Sequence, residues 1–172
     1  MTEFDYLNAE LGISNHDFHL DRASELKLVS FRMMSQAKRQ INIFSRDLDP
    51  RILNDRSLER ALTKFCRRSR FARVKILIHD PKAIQRQDHR LISLAQNLSS
   101  YVTIKAVAKD YLELPFTYYT VDDYGLMYRT VHDDYSTKIN FYQPLRVKEL
   151  NKQFEEIWQQ SRVASEFRTL SL

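Results

Sequence analysis

Pro115-Phe116-Thr117-Tyr118-Tyr119-Thr120-Val121-Asp122-Asp123 leads into a β-hairpin on which the architecture of the chain turns. Residues 116–121 are β-branched or aromatic, and the run Leu126–Val131 beyond them is similar in kind. Asp122-Asp123-Tyr124-Gly125 between the two has the residue types of a hairpin turn. Upstream the pattern changes. A helix from Asp21 or Ser24 to about Gln40 carries Leu26, Val29, Met33 and Ala37 on one face. Ile41-Asn42-Ile43-Phe44 reads as a short buried strand with the exit loop Ser45-Arg46-Asp47-Leu48-Asp49-Pro50. The next helix places Leu58, Ala61, Leu62, Phe65 and Cys66 at the spacing of a core-facing stripe. Val74–Ile78 is a second strand, residues 87–98 another helix, and Tyr101–Val107 an alternating third strand. A short strand near Ile139–Tyr142 precedes a helix opened by Pro144.

Strands alternating with helices imply parallel pairing through right-handed crossovers, and the hairpin adds antiparallel neighbours. The expected fold is therefore α/β, with a mixed, mostly parallel sheet flanked by helices. Residues 1–20 are polar and weakly periodic and read as an N-terminal extension; residues 21–172 read as one domain. The chain has 172 residues, of which 43% are hydrophobic and 28% charged, as expected of an ordinary globular protein. Met1-Thr2-Glu3-Phe4-Asp5 lacks the basic-then-apolar order of a signal peptide, and no apolar run approaches the ~20 residues needed to cross a bilayer. A single cysteine, Cys66, leaves no intrachain disulfide and no cysteine-based metal site, which suits a reducing cytoplasm.

This order of elements resembles one half of a phospholipase D-like protein. The marks are Ile41-Asn42-Ile43-Phe44-Ser45, Arg73-Val74-Lys75-Ile76-Leu77-Ile78, Val121-Asp122-Asp123, and Phe154, Ile157, Trp158 and Ser161 on the last helix. That family's signature is His-x-Lys, four further residues, then Asp. Anchored on Asp122, its His falls on Pro115 and its Lys on Thr117. Phosphodiester chemistry of this type needs an imidazole nucleophile and a cation for the developing phosphoryl charge, and Pro and Thr supply neither. The resemblance therefore implies a vestigial motif of which Asp122 alone is kept, and no catalytic residue. Active family members pair two halves, so it also implies a homodimer.

Only two glycines occur, Gly12 and Gly125, which excludes a P-loop or a glycine-rich dinucleotide turn. Any anion site must use side chains and helix termini. Net charge is +5, and its distribution is uneven. Arg60, Lys64, Arg67, Arg68, Arg70, Arg73 and Lys75 occur between residues 60 and 75 without one acid, whereas residues 110–135 hold six acids against Arg129 alone. The seven basic residues are the candidate polyanion surface, for nucleic acid ahead of phospholipid headgroups because no exposed apolar face is evident beside them. The competing reading is a solvated helix face with salt bridges to acids elsewhere.

Arg46, Asp47, Asp49, His79 and Asp80 follow the carboxyl ends of two core strands, where open α/β sheets bind ligands. With Ser45 they are the candidate ligand site. An enzyme of different chemistry, using Asp47, His79, Asp80 and a divalent metal, is one alternative; ordinary turn and cap chemistry is another. No cofactor is expected, and no metal-ligand spacing here is diagnostic. His16 and His19 with Asp17 and Asp21 read as a polar segment, and His89 and His132 as lone residues. The tyrosines between Tyr111 and Tyr135 suggest either a half-buried hairpin or a dimer seam. A protein-interaction module with no ligand is the third functional reading.

Overall fold

Ile41-Asn42-Ile43-Phe44 lies inside β2 (Gln40–Ser45), the strand around which the sheet is assembled. Strand β2 pairs in parallel with β3 (Arg73–Ile78), and β3 with β4 (Val102–Ala106). On its other side β2 pairs antiparallel with β5 (Thr117–Val121), which forms the hairpin with β6 (Gly125–Arg129). The computed structural model describes residues 5–167. The first four residues of the expected extension and the last five of the expected domain lie outside them.

Among the described residues the sheet has eight strands in the order β1-β7-β6-β5-β2-β3-β4-β8. It is mixed, as the alternation predicts, but mostly antiparallel where a mostly parallel sheet was expected: among the described residues only β2–β3 and β3–β4 pair in parallel, because the hairpin and the edge strands contribute five antiparallel pairs. Two edge strands have no counterpart in the sequence reading: β1 (Phe18–Leu20), antiparallel to β7 (Thr137–Asn140), and β8 (Arg162–Val163), antiparallel to β4. Three and two residues are too few to show a period. Through β1, through buried Ala9, and through Tyr6 and Leu11 packed on the core, residues 5–20 lie against the sheet.

Strand side chains alternate between faces. Ile41, Ile43, Val74, Ile76, Tyr119 and Met127 point into the larger core, under α1 (Ala23–Met34), α2 (Pro50–Leu53), α3 (Arg56–Arg68), α4 (Pro81–Gln85) and α5 (Arg90–Asn97). Phe44, Leu77, Tyr118 and Leu126 point the other way, against Val147, Leu150, Phe154, Ile157 and Trp158 of α6 (Pro144–Gln160). Asn42 and Thr120 interrupt that second face. Both donate to Asn151 Oδ1, at 3.2 and 2.6 Å, so α6 is pinned by a satisfied polar contact as well as by apolar packing.

The tyrosine-rich segment is mostly interior. Tyr118 and Tyr119 are fully buried on opposite faces, and Phe44, Phe116, Tyr118 and Tyr128 form one cluster of ring contacts. Tyr124 is the member left exposed, where it stacks on Tyr142. The expectation of a tyrosine-lined surface seam thus loses its main members to the core.

Helix α1 ends at Met34, short of the expected Gln40. The cause is Asp122. Its carboxylate, buried at the end of β5, accepts backbone N–H groups from Lys38 (3.0 Å), Arg39 (2.8 Å) and Gln40 (3.1 Å). Its own N–H donates to the Gln40 carbonyl at 2.8 Å. Asp122 has φ 54°, in the left-handed region that Asp tolerates better than most side chains. The chain at 38–40 therefore leaves helical geometry to bond this carboxylate. Asp122→Ala should lower stability by about 2–3 kcal/mol, the order expected when hydrogen bonds to a charged acceptor are removed and buried donors are stranded. Asp122→Asn, which keeps one acceptor oxygen, should lose less. Urea unfolding followed by circular dichroism checks both.

Candidate functional site

The strand-end residues singled out by sequence do gather at the carboxyl ends of β2 and β3, but much of their polarity is already used locally. Asp49 caps α2 by accepting from Arg51 N–H at 3.0 Å, pairs with the Arg51 side chain, and accepts the Tyr135 hydroxyl. Asp80 caps α4 by accepting from Ala83 N–H at 3.2 Å, and its own N–H reaches the Arg46 carbonyl at 3.4 Å. Asp47 is exposed and Arg46 half-buried. Among the described residues no three His, Cys, Asp or Glu side chains converge as a metal site. With Asp49 and Asp80 used as caps, these residues do not form the cage that their spacing allowed.

His79 is half-buried against Phe44, ring centroids 5.0 Å apart, with Nδ1 3.4 Å from the Ser45 carbonyl. Burial is the main reason its pKa lies below the ordinary value, and the nearby positive charge of Arg46 adds to this. Nε2 is buried, with no hydrogen-bond partner among the described residues. An imidazole so placed is neutral and has no carboxylate to orient it as a base.

The structure adds residues that sequence reasoning passed over. Arg129, the one base of the acidic region, is buried at the end of β6 opposite Thr117. Its Nε donates to Thr137 Oγ1 at 3.4 Å and its Nη1 to the His132 carbonyl at 3.0 Å, while Nη2 has no partner among the described residues. Tyr135 covers the guanidinium, 4.8 Å from ring centroid to Cζ. Burial pushes the Arg129 pKa down, and the carboxylates of Asp49, Asp47 and Asp134 oppose that. Thr117 itself is half-buried, and the Pro115 carbonyl accepts the His132 N–H at 2.8 Å. The two positions that the resemblance assigns to a catalytic His and Lys hold Pro115 and Thr117, and Thr117 lies opposite a buried arginine.

His89, a lone residue in sequence, is fully engaged. Nδ1 accepts from Leu91 N–H at 3.1 Å, capping α5, so Nε2 carries the proton and donates to the Leu48 carbonyl at 2.8 Å. Leu48 is buried and has φ 51°, so this bond braces a strained turn of the β2 exit loop. Cys66 is buried, and burial raises its thiol pKa, consistent with a core residue and not a nucleophile. Asp17 pairs with Lys138 at 3.6 Å, and His16 packs edge-on against Phe18.

The basic run forms a different kind of surface. Asp55 caps α3 by accepting from Leu58 N–H at 3.1 Å, and Arg67 and Arg68 complement the dipole at the far end. Leu58, Ala61, Leu62, Phe65 and Cys66 are buried, which leaves Arg60, Lys64, Arg67 and Arg68 exposed. Arg70 and Arg73 are exposed beyond the helix. Among the described residues none of these six makes an ion pair. Arg60 and Lys64 stand on the ridge between two grooves, one toward α1 of about 380 Å³ and one toward α5 of about 610 Å³. The acid in the second groove, Glu59, is engaged by Arg90 at 3.3 Å.

Lys75 departs from this set. Because Val74, Ile76 and Ile78 face the larger core, Lys75 projects toward α6, where it pairs with Glu155 at 3.2 Å and lies 5.3 Å from the Trp158 ring centroid. At the end of the ridge, Phe71 is 70% exposed, an aromatic that the sequence reading did not bring to the surface.

The backbone is similar to that of TrmBL2, an archaeal chromatin protein whose structure shows a mode of DNA binding, with TM-score 0.66, 14% identity, and coverage of 89% of this chain and 54% of that one. It is similar to Nuc from Salmonella typhimurium, a phospholipase D family member, with TM-score 0.60, 12% identity, and coverage of 90% and 100%. It is also similar to phosphatidylserine synthase from Haemophilus influenzae, with TM-score 0.57, 14% identity, and coverage of 91% and 41%. The chain spans about half the length of the TrmBL2 chain and the whole of Nuc. At these identities the likeness is one of fold, and the fold is phospholipase D-like. The chain belongs to the family described as a domain of unknown function (DUF7931), whose model matches residues 22–170. No curated protein matches the sequence. No helix among the described residues is long and apolar enough to cross a membrane.

The His89 geometry has a pH consequence. Burial holds its pKa below the ordinary 6.5, so as pH falls the unfolded chain binds the proton before the folded one does. The stability from His89 is complete above that value and declines below it. Between about pH 7.5 and pH 5.5 the loss from His89 should reach up to about 1 kcal/mol. Urea unfolding at the two pH values should show it, with a flatter difference in His89→Gln.

Proposed function

We propose that this chain is a non-catalytic phospholipase D-like domain that binds a polyanion, nucleic acid foremost, through the ridge of α3. The observation that carries the reading is the set Arg60, Lys64, Arg67, Arg68, Arg70 and Arg73, exposed and without acidic partners among the described residues. Charges left unpaired on one helix face supply phosphate contacts and counterion release. A solvated face stabilised by its own salt bridges would show the pairs that are missing here. Similarity to a chromatin protein that binds DNA supports the same ligand class. Pro115 and Thr117 beside buried Arg129 support a binding role without phosphodiester cleavage, because no imidazole stands where an attacking group is needed. A homodimer follows from a single half-module in a superfamily whose active members pair two halves. The lone, buried cysteine suits the cytoplasm.

Fluorescence anisotropy with labelled oligonucleotides at low and moderate salt tests the reading. Wild type should bind with an affinity that falls steeply with salt. Arg67→Glu/Arg68→Glu should weaken binding at least about tenfold and reduce the slope of log K against log salt by about 2, one for each arginine withdrawn from a phosphate. Unchanged circular dichroism confirms that the variant is folded. Absence of binding at low salt, or equal binding by the variant, removes the ridge from consideration.

A further inference from the structure

We infer that Phe71 is a stacking platform for an unpaired base, so that the polyanion held by the α3 ridge is single-stranded nucleic acid. This rests on the nucleic-acid reading above and specifies its ligand. The turn Ser69-Arg70-Phe71-Ala72 joins α3 to β3 and is tightly built: Phe71 N–H donates to Ser69 Oγ at 3.1 Å, and Ala72 N–H to the Ser69 carbonyl at 3.2 Å. Ala72 is buried, which anchors the turn, while Phe71 beside it points out. At 70% exposure it is the most exposed Phe, Tyr or Trp ring among the described residues.

Its surroundings are cationic. The Arg70 guanidinium stacks on the ring, 4.8 Å from the centroid. The planar cation occupies a position that a base can share or take, because both bind aromatic faces. Beside the ring opens a groove of about 540 Å³ whose lining includes Lys38, Arg39, Arg73 and Lys75. Lys38 and Arg73 make no ion pair among the described residues, while Lys75 is held by Glu155. Arg39 pairs at 3.3 Å with Asp123, both side chains being well exposed, so a phosphate can compete for it at little cost. The Asp122 carboxylate fixes the backbone of Lys38 and Arg39 and so holds this part of the rim in place. Arg60, Lys64, Arg67 and Arg68 lead along the helix to the same turn, a track of about 12 Å from first to last.

An exposed ring among phosphate-binding cations matches the two parts of a single strand, whose bases are free to stack while its backbone tracks the charge. A duplex keeps its base faces covered. A membrane surface needs an apolar face, and the 69–73 turn exposes one apolar side chain only.

The test compares wild type, Phe71→Ala and Phe71→Trp on single-stranded and duplex oligonucleotides, with 2-aminopurine in the single strand as a stacking reporter. Phe71→Ala should weaken single-strand binding about tenfold and abolish the 2-aminopurine quench, while duplex affinity changes less than about twofold. Phe71→Trp should restore both. Single-strand affinity within about twofold of wild type in Phe71→Ala, with binding still weakened at least about tenfold in Arg67→Glu/Arg68→Glu, overturns the platform and leaves the nucleic-acid reading standing. No oligonucleotide binding by wild type overturns both. Phosphatidylserine vesicles that bind wild type but not Phe71→Ala, with oligonucleotide binding unchanged, overturn the platform in favour of a membrane anchor.

Discussion

One carboxylate holds the middle of this molecule in register. Asp122 gathers the N–H groups of Lys38, Arg39 and Gln40 and returns its own N–H to the Gln40 carbonyl. The contact fixes three things together: the stop of α1, the first residue of the central strand, and the turn of the β5–β6 hairpin. Buried N–H groups need acceptors, and an ionised carboxylate can satisfy several at once. With Asp122 in place, Ile41 must lie opposite Val121 and Phe44 opposite Tyr118. Slippage by one residue would exchange the two faces of β2 and put Asn42 into the larger core.

The clamp sits at one end of β5, and Thr117, opposite buried Arg129, at the other. From Thr117 to Asp122 the strand runs the length of β5, about 17 Å at the usual rise. The Thr117 end is inward-looking. Arg129, Thr137 and Tyr135 satisfy or cover one another there, and Asp49 and Asp80 cap short helices. The Asp122 end is outward-looking, with cations on the 38–39 corner and on the 69–73 turn. Since β2 and β3 are parallel, their starts lie side by side, and Gln40 is registered with Arg73. Two segments thirty residues apart in sequence thus build one basic rim.

Much of the fold was legible in the residues. The apolar stripe of α3 predicted its buried face correctly, because amphipathic helices report their orientation through the 3.6-residue period. The β2 and β3 cores and the hairpin turn were equally direct, since a continuous apolar run and an Asp-Asp-Tyr-Gly turn are local features. The end of α1 was not, because the acceptor that ends it lies 82 residues beyond Gln40. Strands β1 and β8 were hidden by their shortness. The ligand cluster at the strand ends looked richer in sequence than it is in space, since Asp49 and Asp80 serve as caps, a role that shares their residue type.

The α/β order, the segregation of basic from acidic segments, and the Pro and Thr at positions 115 and 117 are all visible in the residues alone. These are properties of composition and local period, which do not depend on distant contacts. It took the folded structure to show that the α3 cations have no acidic partners among the described residues, that Lys75 faces away from them, and that Phe71 is the most exposed aromatic ring among the described residues. Each of those depends on which face of an element meets which neighbour. That is fixed by packing across the sheet and cannot be read from any single window of the chain.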